Sequence, residues 1–329
     1  MGDVGHDGHV RTAPATVVVT EPLPPAGAAD TTTVQRTRDL VGRTVAWFTQ
    51  HRRDLPWRAT DRTPWGVLVS EIMLQQTPAA RVAPVWEAWM ERWPTPHALA
   101  GAGTADVLRA WGRLGYPRRA LRLQECARTV VDRHCGVVPR DEAALLALPG
   151  VGAYTAAAVV AFAHGGRSVV LDTNVRRVIA RAVGGHALPA PSQTVAEVRQ
   201  ASALVPAPAA EAAAWAAASM ELGAVVCTAR SPRCADCPVA DLCRWRTAGY
   251  PGDQHAERRR TQSWAGSDRQ VRGRVMHLLR DSSGPVLEAD VADASDDATQ
   301  LRRCVDGLVA DGLVERVGED DDAALRLPG

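Results

Sequence analysis

Apolar residues recur at Val34, Val41, Val45 and Phe48, the spacing of one helical face, and Thr33 stands where it could cap that helix. Helical patterns continue to about Arg246, punctuated by Pro56, Pro64, Pro84, Pro94, Gly112, Gly115, Pro139, Pro149 and the Gly184-Gly185 pair. No alternating run in this stretch is long enough to predict a sheet, so an all-helical region over residues 34–250 is expected. Residues 1–33 are Gly, Pro, Ala and Thr with scattered charge, too poor in large apolar groups to offset ordering entropy, and read as a disordered tail. A polar, glycine-containing stretch over residues 251–268 reads as a linker to a small unit at 269–329. There Val271, Val275, Leu278 and Leu279 form one helical stripe, and Leu301, Val305 and Leu308 form another. The short apolar runs Leu313–Val317 and Ala323–Leu327, either side of the acidic turn Glu319–Asp322, predict a β-hairpin. Helices followed by a hairpin suggest a winged-helix-like module.

Composition narrows the function. With 329 residues and 46% hydrophobic content the chain can bury a large core. It holds no apolar stretch of the roughly 18 residues that a membrane helix needs, and its first twenty residues lack a signal-peptide pattern, so a cytoplasmic protein with no membrane partner is expected. The net charge of +1 conceals three segments. Residues 1–33 carry one Arg against four acids (−3), residues 34–262 carry 29 Arg against 19 acids (+10), and residues 263–329 carry 8 Arg against 14 acids (−6). The middle segment is the expected polyanion binder, whereas the acidic end works against phosphate contact and points to packing or a protein partner. The chain contains no lysine, which a GC-rich genome would produce without functional reason.

Seven cysteines, four of them between Cys227 and Cys243, argue for a metal or cluster site rather than a disulfide framework. Cys227, Cys234, Cys237 and Cys243 are spaced C-x6-C-x2-C-x5-C. Four thiolates converging in so short a segment could hold zinc, the commoner outcome for four-cysteine sites, or an iron–sulfur cluster.

Three further motifs are ambiguous one by one. Leu148-Pro149-Gly150-Val151-Gly152-Ala153-Tyr154-Thr155 lies between helical runs, and its glycines would let backbone amides face a phosphate at a helix start; a lone G-x-G is more often an ordinary turn. Asp172, in Val170-Leu171-Asp172-Thr173-Asn174-Val175, would by itself be an N-cap more often than a catalyst. Glu71, in Ser70-Glu71-Ile72-Met73-Leu74-Gln75-Gln76-Thr77, would by default lie on a surface helix.

Taken together and in this order, the four motifs resemble the adenine-DNA glycosylases, the MutY type of the helix-hairpin-helix/endonuclease III superfamily, over about residues 34–247. The resemblance implies a six-helix barrel at about 58–170 and a cluster module formed by 34–57 with 171–250. It implies a [4Fe-4S] cluster on Cys227, Cys234, Cys237 and Cys243, and DNA gripped by the Gly150-Val151-Gly152 hairpin. The implied activity is base excision repair: hydrolysis of the glycosidic bond of adenine mispaired with 8-oxoguanine or guanine in double-stranded DNA, by a monomeric, nucleoid-associated enzyme. An enzyme acting on a stacked base must extrude it, and a mispaired adenine is easier to unstack. The family's Glu71 would protonate N7 of the leaving adenine, ionised Asp172 would stabilise the sugar cation, and Tyr154 and Asn174 would position these groups and the water. Trp57 and Arg58 would line the adenine pocket, and Leu74 and Gln75 would contact the substrate or the DNA. Gln76 and Thr77 would fill the gap left by the base, and Tyr116, following Leu114 and Gly115, would wedge into the stack.

Relatives that nick DNA carry a lysine where this chain has Tyr154, so lysine-dependent lyase chemistry is not expected. Two features depart from the family. No Nudix-like domain follows residue 250, and Ala217 stands ten residues before Cys227, where a Glu or Gln reaching adenine is usual. Two rival readings are a mismatch thymine glycosylase, against which Glu71 argues because thymine has no N7, and a non-catalytic iron–sulfur DNA-binding protein, which would not need two acids near phosphates.

Overall fold

The computed structural model describes residues 31–258, 265–318 and 323–329. Residues 1–30 of the expected tail 1–33 and the acidic turn Glu319–Asp322 lie outside the described residues, while its last three residues, Thr31–Thr33, are helical rather than part of a tail. The chain forms α1 (Thr31–His51), α2 (Pro64–Leu74), α3 (Ala79–Arg92), α4 (Pro96–Ala100), α5 (Thr104–Trp111), α6 (Arg118–His134) and α7 (Glu142–Leu146). It continues with α8 (Ala153–His164), α9 (Thr173–Ile179), α10 (Val195–Ser202), α11 (Ala209–Val225) and α12 (Arg244–Thr247). After them come α13 (Asp268–Asp281), β1 (Val286–Leu287), α14 (Ala298–Ala310), β2 (Glu315–Val317) and β3 (Ala324–Arg326). None of these helices is long and apolar enough to cross a membrane.

Helix α1 begins at Thr31, so Thr33 lies inside its first turn rather than capping it. Three consecutive threonines offer equivalent caps, and side-chain chemistry alone cannot choose among them.

Helix α2 is apolar nearly all round and nine of its eleven residues are buried, which makes it a central core helix rather than a surface one. Its start is fixed by Pro64 in the first turn and by the Thr63 hydroxyl, which accepts from the Gly66 amide. Helix α8 packs on it through buried Ala156 and Val159, and the small side chains Ala157, Ala158 and Ala161 are buried beside them. Helices α3 to α7 close the core around Trp89, whose ring meets Trp93 edge-on at 4.8 Å and Trp111 at 5.6 Å.

A second core joins Leu40 of α1, Val175, Val178 and Ile179 of α9, and Trp215 and Leu222 of α11. Gly223 sets how closely α9 and α11 approach. A Cβ there would lie 2.6 Å from the Asn174 carbonyl oxygen, a distance no side chain tolerates.

In the C-terminal part, β2 and β3 pair antiparallel as the apolar runs predict, and β1 adds a third strand in the order β1-β3-β2. Two residues are too few for β1 to show an alternating pattern. The buried stripe of α13 is Val271, Val275, Met276 and Leu279; Leu278, expected in it, is 41% exposed. The core of this part is continuous with that of helices α2 to α8, through α13 packing on α5.

Candidate active site

Between the two helical cores lies a cavity of about 940 Å³, lined among others by Arg58, Glu71, Gln75, Tyr154, Asp172 and Asn174. Glu71 sits near the end of α2 and is only 3% exposed. Its Oε2 accepts a 2.9 Å hydrogen bond from the Tyr154 hydroxyl, donated from the first turn of α8. Burial raises the Glu71 carboxyl to about 7; the Tyr154 bond and Arg58 act against the rise, and the charge of Asp172 adds to it. The same burial, with the two carboxylates, holds Tyr154 well above its ordinary value, so it remains a donor.

Asp172 is the N-cap of α9, as its sequence context alone suggests, and it also faces the cavity. Its Oδ1 accepts from the amides of Asn174 (2.9 Å) and Val175 (2.6 Å), and its Oδ2 from the Asn174 side-chain amide (2.7 Å). Burial raises its pKa, opposed by these three bonds and by Arg177. Arg177 in turn donates to the Asn174 side-chain oxygen (2.8 Å), the Gly223 carbonyl (2.7 Å) and the Cys227 carbonyl (2.6 Å). This orients the Asn174 amide so that its NH2 faces Asp172.

One strong anion in the site carries no motif. Glu221 of α11 is fully buried and accepts from the Arg53 amide (3.0 Å), from Arg53 Nε (2.7 Å) and Nη2 (2.9 Å), and from Arg58 Nη2 (2.9 Å). Burial alone would raise its pKa, but the bonds from both arginines prevail and hold it at about 2. Ala217 lines the cavity one turn earlier on α11, beside Ala213 and Ala214, so this wall offers no polar group until the arginine pair. In the sequence Glu221 is only one of two glutamates, with Glu211, in an alanine-rich helix.

Several residues expected at DNA sit differently. Gln76 is exposed, with φ of 57°, and Tyr116 is 39% exposed, with φ of 48°; both adopt the left-handed conformation that non-glycine residues rarely take. Thr77 and Leu114, by contrast, are buried, at 7% and 3% exposure. The Thr77 hydroxyl donates to the Leu114 carbonyl (3.2 Å), so neither side chain projects into a base stack. Arg119, also absent from the expected set, ties these loops together. Its guanidinium donates to the carbonyls of Met73 (2.9 Å), Gln75 (2.6 Å), Leu114 (3.1 Å) and Gly115 (2.9 Å). Burial lowers its pKa to about 10, so it remains charged. Trp57 and Val151 are buried, and Val151 can offer only its backbone to a ligand. Gly150 has φ of 77°, and a Cβ on it would press to 3.1 Å on Arg122, so this turn requires glycine.

The four cysteines of the C-x6-C-x2-C-x5-C segment lie close enough to act on one another electrostatically, while no three of them stand together as ligands of a single metal ion. Burial, with the nearness of Cys227, Cys243 and Cys234, pushes the Cys237 thiol up to about 11. Arg181 donates to the Cys227 sulfur (3.3 Å) and to the Thr228 carbonyl (2.7 Å). Four soft donors crowded together beside cations suit an iron–sulfur centre, whose positive irons would reverse that mutual repulsion.

Residues 227–243 match the iron-sulfur binding domain of endonuclease III, and residues 69–203 match the HhH-GPD superfamily of base excision DNA repair proteins. The chain is 54% identical over 277 residues to an adenine DNA glycosylase of Mycolicibacterium smegmatis, covering 84% of this chain and 92% of that one. It belongs to the adenine DNA glycosylase family. A Mycobacterium tuberculosis adenine DNA glycosylase is 52% identical over 287 residues, 87% of this chain and 92% of that one. Among solved structures, a thermostable thymine-DNA glycosylase aligns with a TM-score of 0.59 at 30% identity, covering 65% of this chain and 99% of that one. The thymine-specific rival therefore shares the HhH-GPD fold, while the sequence sides with the adenine branch. The cofactor of this adenine DNA glycosylase is a [4Fe-4S] cluster.

Proposed function

We propose that the chain is a monofunctional glycosylase that hydrolyses the bond between deoxyribose and an adenine mispaired with 8-oxoguanine or guanine. The observation that carries this is the Glu71–Tyr154–Asp172 constellation: one carboxyl raised to about 7 and held by a phenol, facing a second carboxyl that accepts three hydrogen bonds. Adenine leaves poorly as an anion, so a proton must reach it first. Glu71, half protonated near neutrality, donates that proton to N7, and the C1′–N9 bonding electrons depart with the neutral base. The sugar is left as an oxocarbenium ion, and the Asp172 carboxylate, locked by Asn174 and the α9 amides, offers it negative charge without reorganising. Water then adds at C1′, and the proton it loses restores the acid form of Glu71. Asn174, fixed by Arg177, orients Asp172 and the water. Trp57, Arg58, Leu74 and Gln75 wall the base pocket with Gln76, Tyr116 in the neighbouring loop is the wedge, and the Gly150–Gly152 turn offers its amides to the DNA backbone.

Cys227, Cys234, Cys237 and Cys243 hold the [4Fe-4S] cluster, which supplies a cross-link that fixes its loop rather than chemistry at the glycosidic bond. The protein acts as a monomer, in the bacterial cytoplasm at the nucleoid. We assign the barrel to about 58–170, the cluster module to 34–57 with 171–250, the linker to 251–268 and the C-terminal unit to 269–329. Strand nicking through an imine needs an amine, and with Tyr154 at the critical position and no lysine in the chain, the product is an abasic site. The test is incubation with A:8-oxoguanine, A:G and T:G duplexes with borohydride present. Adenine release from the first two, with strand breaks only after alkali and no trapped adduct, is expected; thymine release or a strong adduct would overturn the reading.

A further inference from the structure

A second cavity, of about 890 Å³, lies between the catalytic helices and the C-terminal unit. Nine of its lining residues are arginines and none is acidic. Arg81, Arg113, Arg118 and Arg122 stand on the catalytic wall, and Arg269 and Arg280 on α13 opposite. The acidic count of the C-terminal unit says the reverse of its local surface. Several of its described carboxylates are paired with other arginines, Asp268 with Arg303, Glu288 and Asp306 with Arg316, and Glu315 with Arg326, while Asp281 pairs with His277, which lines the groove. Asp311, behind the groove, braces Arg118 at 3.2 Å and also bonds Arg272. Net charge averages over faces, and here the faces are sorted.

Three observations point to what fills the groove. Like charges are held together across it: burial lowers the Arg280 pKa, with Arg113 adding to the fall and Asp281 opposing it. Arg269 lies over the Tyr116 ring, 4.4 Å from its centroid, so α13 reaches the residue that the family resemblance implies as the wedge in the base stack. The groove and the base pocket also share Gln75 and Gln76, one cavity on each side of that loop. A duplex that sends one base into the first cavity must carry its other strand past the loop into the second.

We propose that α13 is a DNA-contacting element whose arginines, with those of the Arg113–Arg122 wall, grip the phosphodiester backbone of the strand that keeps its base. This rests on reading the 940 Å³ cavity as the pocket of the extruded base. The C-terminal unit thus completes the duplex-binding face. Continuity of its core with the catalytic helices keeps the two walls at a fixed separation.

The test measures affinity of the full-length cluster-loaded protein for a duplex with a tetrahydrofuran abasic analogue opposite guanine, from low to moderate salt. The proteins compared are the wild type, Arg269→Gln, Arg280→Gln and, as a control, Arg326→Gln in the sheet. Each lost phosphate contact should reduce the slope of log affinity against log salt by about 0.9 and weaken binding several-fold, while the control keeps the wild-type slope. Neutral methylphosphonates in the strand opposite the analogue should weaken wild-type binding and have less effect on Arg269→Gln. An unchanged slope in both groove variants, tighter binding from a unit that shields the face, or coupling confined to the analogue strand would overturn the proposal. Adenine release by the wild type, assayed separately, reports on the base pocket alone.

Discussion

Two glutamates in this molecule are equally hidden from water and have opposite charge states. Glu71 is 3% exposed and Glu221 is 0% exposed, yet the first titrates near 7 and the second near 2. Burial disfavours charge on both, so the partners decide. Glu71 receives one bond, from a neutral phenol, and faces another carboxylate; Glu221 receives four bonds from two arginines. Arg58 belongs to both regions, bonded to Glu221 and acting at a distance to lower Glu71. With its charge taken up by Glu221, Arg58 can line the base pocket without stripping the acid of its proton. The pocket thus separates a proton donor from a fixed anion by partner choice alone.

The largest effect should come from removing the carboxylates that act on the transition state. Asp172→Asn and Glu71→Gln should each slow single-turnover adenine release by about a thousandfold or more, leaving duplex affinity within a few-fold, because their charge matters mainly as the bond breaks. Near-wild-type rates in either variant would dissolve the contrast between the two regions.

Breaking the other side of the comparison should be milder. Glu221→Gln leaves Arg53 and Arg58 without their anion. Loss of one partner from a buried pair costs about 3–5 kcal/mol, and roughly 2–3 kcal/mol is expected here because Arg53 keeps access to water. Denaturant unfolding would show it. The same change should move the alkaline limb of the rate profile to lower pH, since an unneutralised Arg58 favours ionised Glu71.

The smallest effect concerns stability at Glu71 itself. Its folded pKa of about 7 lies above the ordinary 4.5, so the folded protein holds that proton more tightly than the unfolded chain. This contribution is complete below pH 4.5 and is lost as pH rises through about 7. At pH 8 it amounts to a penalty of up to about 3 kcal/mol, from 1.36 kcal/mol per pKa unit. Glu71→Gln should therefore be more stable than the wild type at pH 8, by roughly 1–3 kcal/mol, with the gain fading toward pH 5; equal stability at both pH values would show that Glu71 is not strained.

The parts legible from sequence were those in which local spacing and chemistry coincide. Four cysteines in one segment, and Glu71, Tyr154 and Asp172 in their motifs, announced themselves, and the structure brings those three side chains to one cavity. The Glu221 clamp was hidden because its partners lie 163 and 168 residues away, and an ion pair leaves no periodic trace. Arg119 was one arginine in an arginine-rich helix, and only the carbonyls converging on it distinguish it. Thr77 and Leu114 are implied at DNA only because their motifs resemble the family's, and a motif does not say which of its side chains turn inward. The groove could not be read at all, since its sign depends on which face of α13 meets the catalytic helices.

The most direct test of the central claim is single-turnover adenine release from an A:8-oxoguanine duplex between pH 5 and 9. With Glu71 as the acid, the rate should fall above about 7, approaching tenfold per pH unit, and the Glu221→Gln limb should lie at lower pH than that of the wild type. A rate that stays flat to pH 9 in both proteins would contradict proton donation by Glu71, and with it the separation of the two buried glutamates.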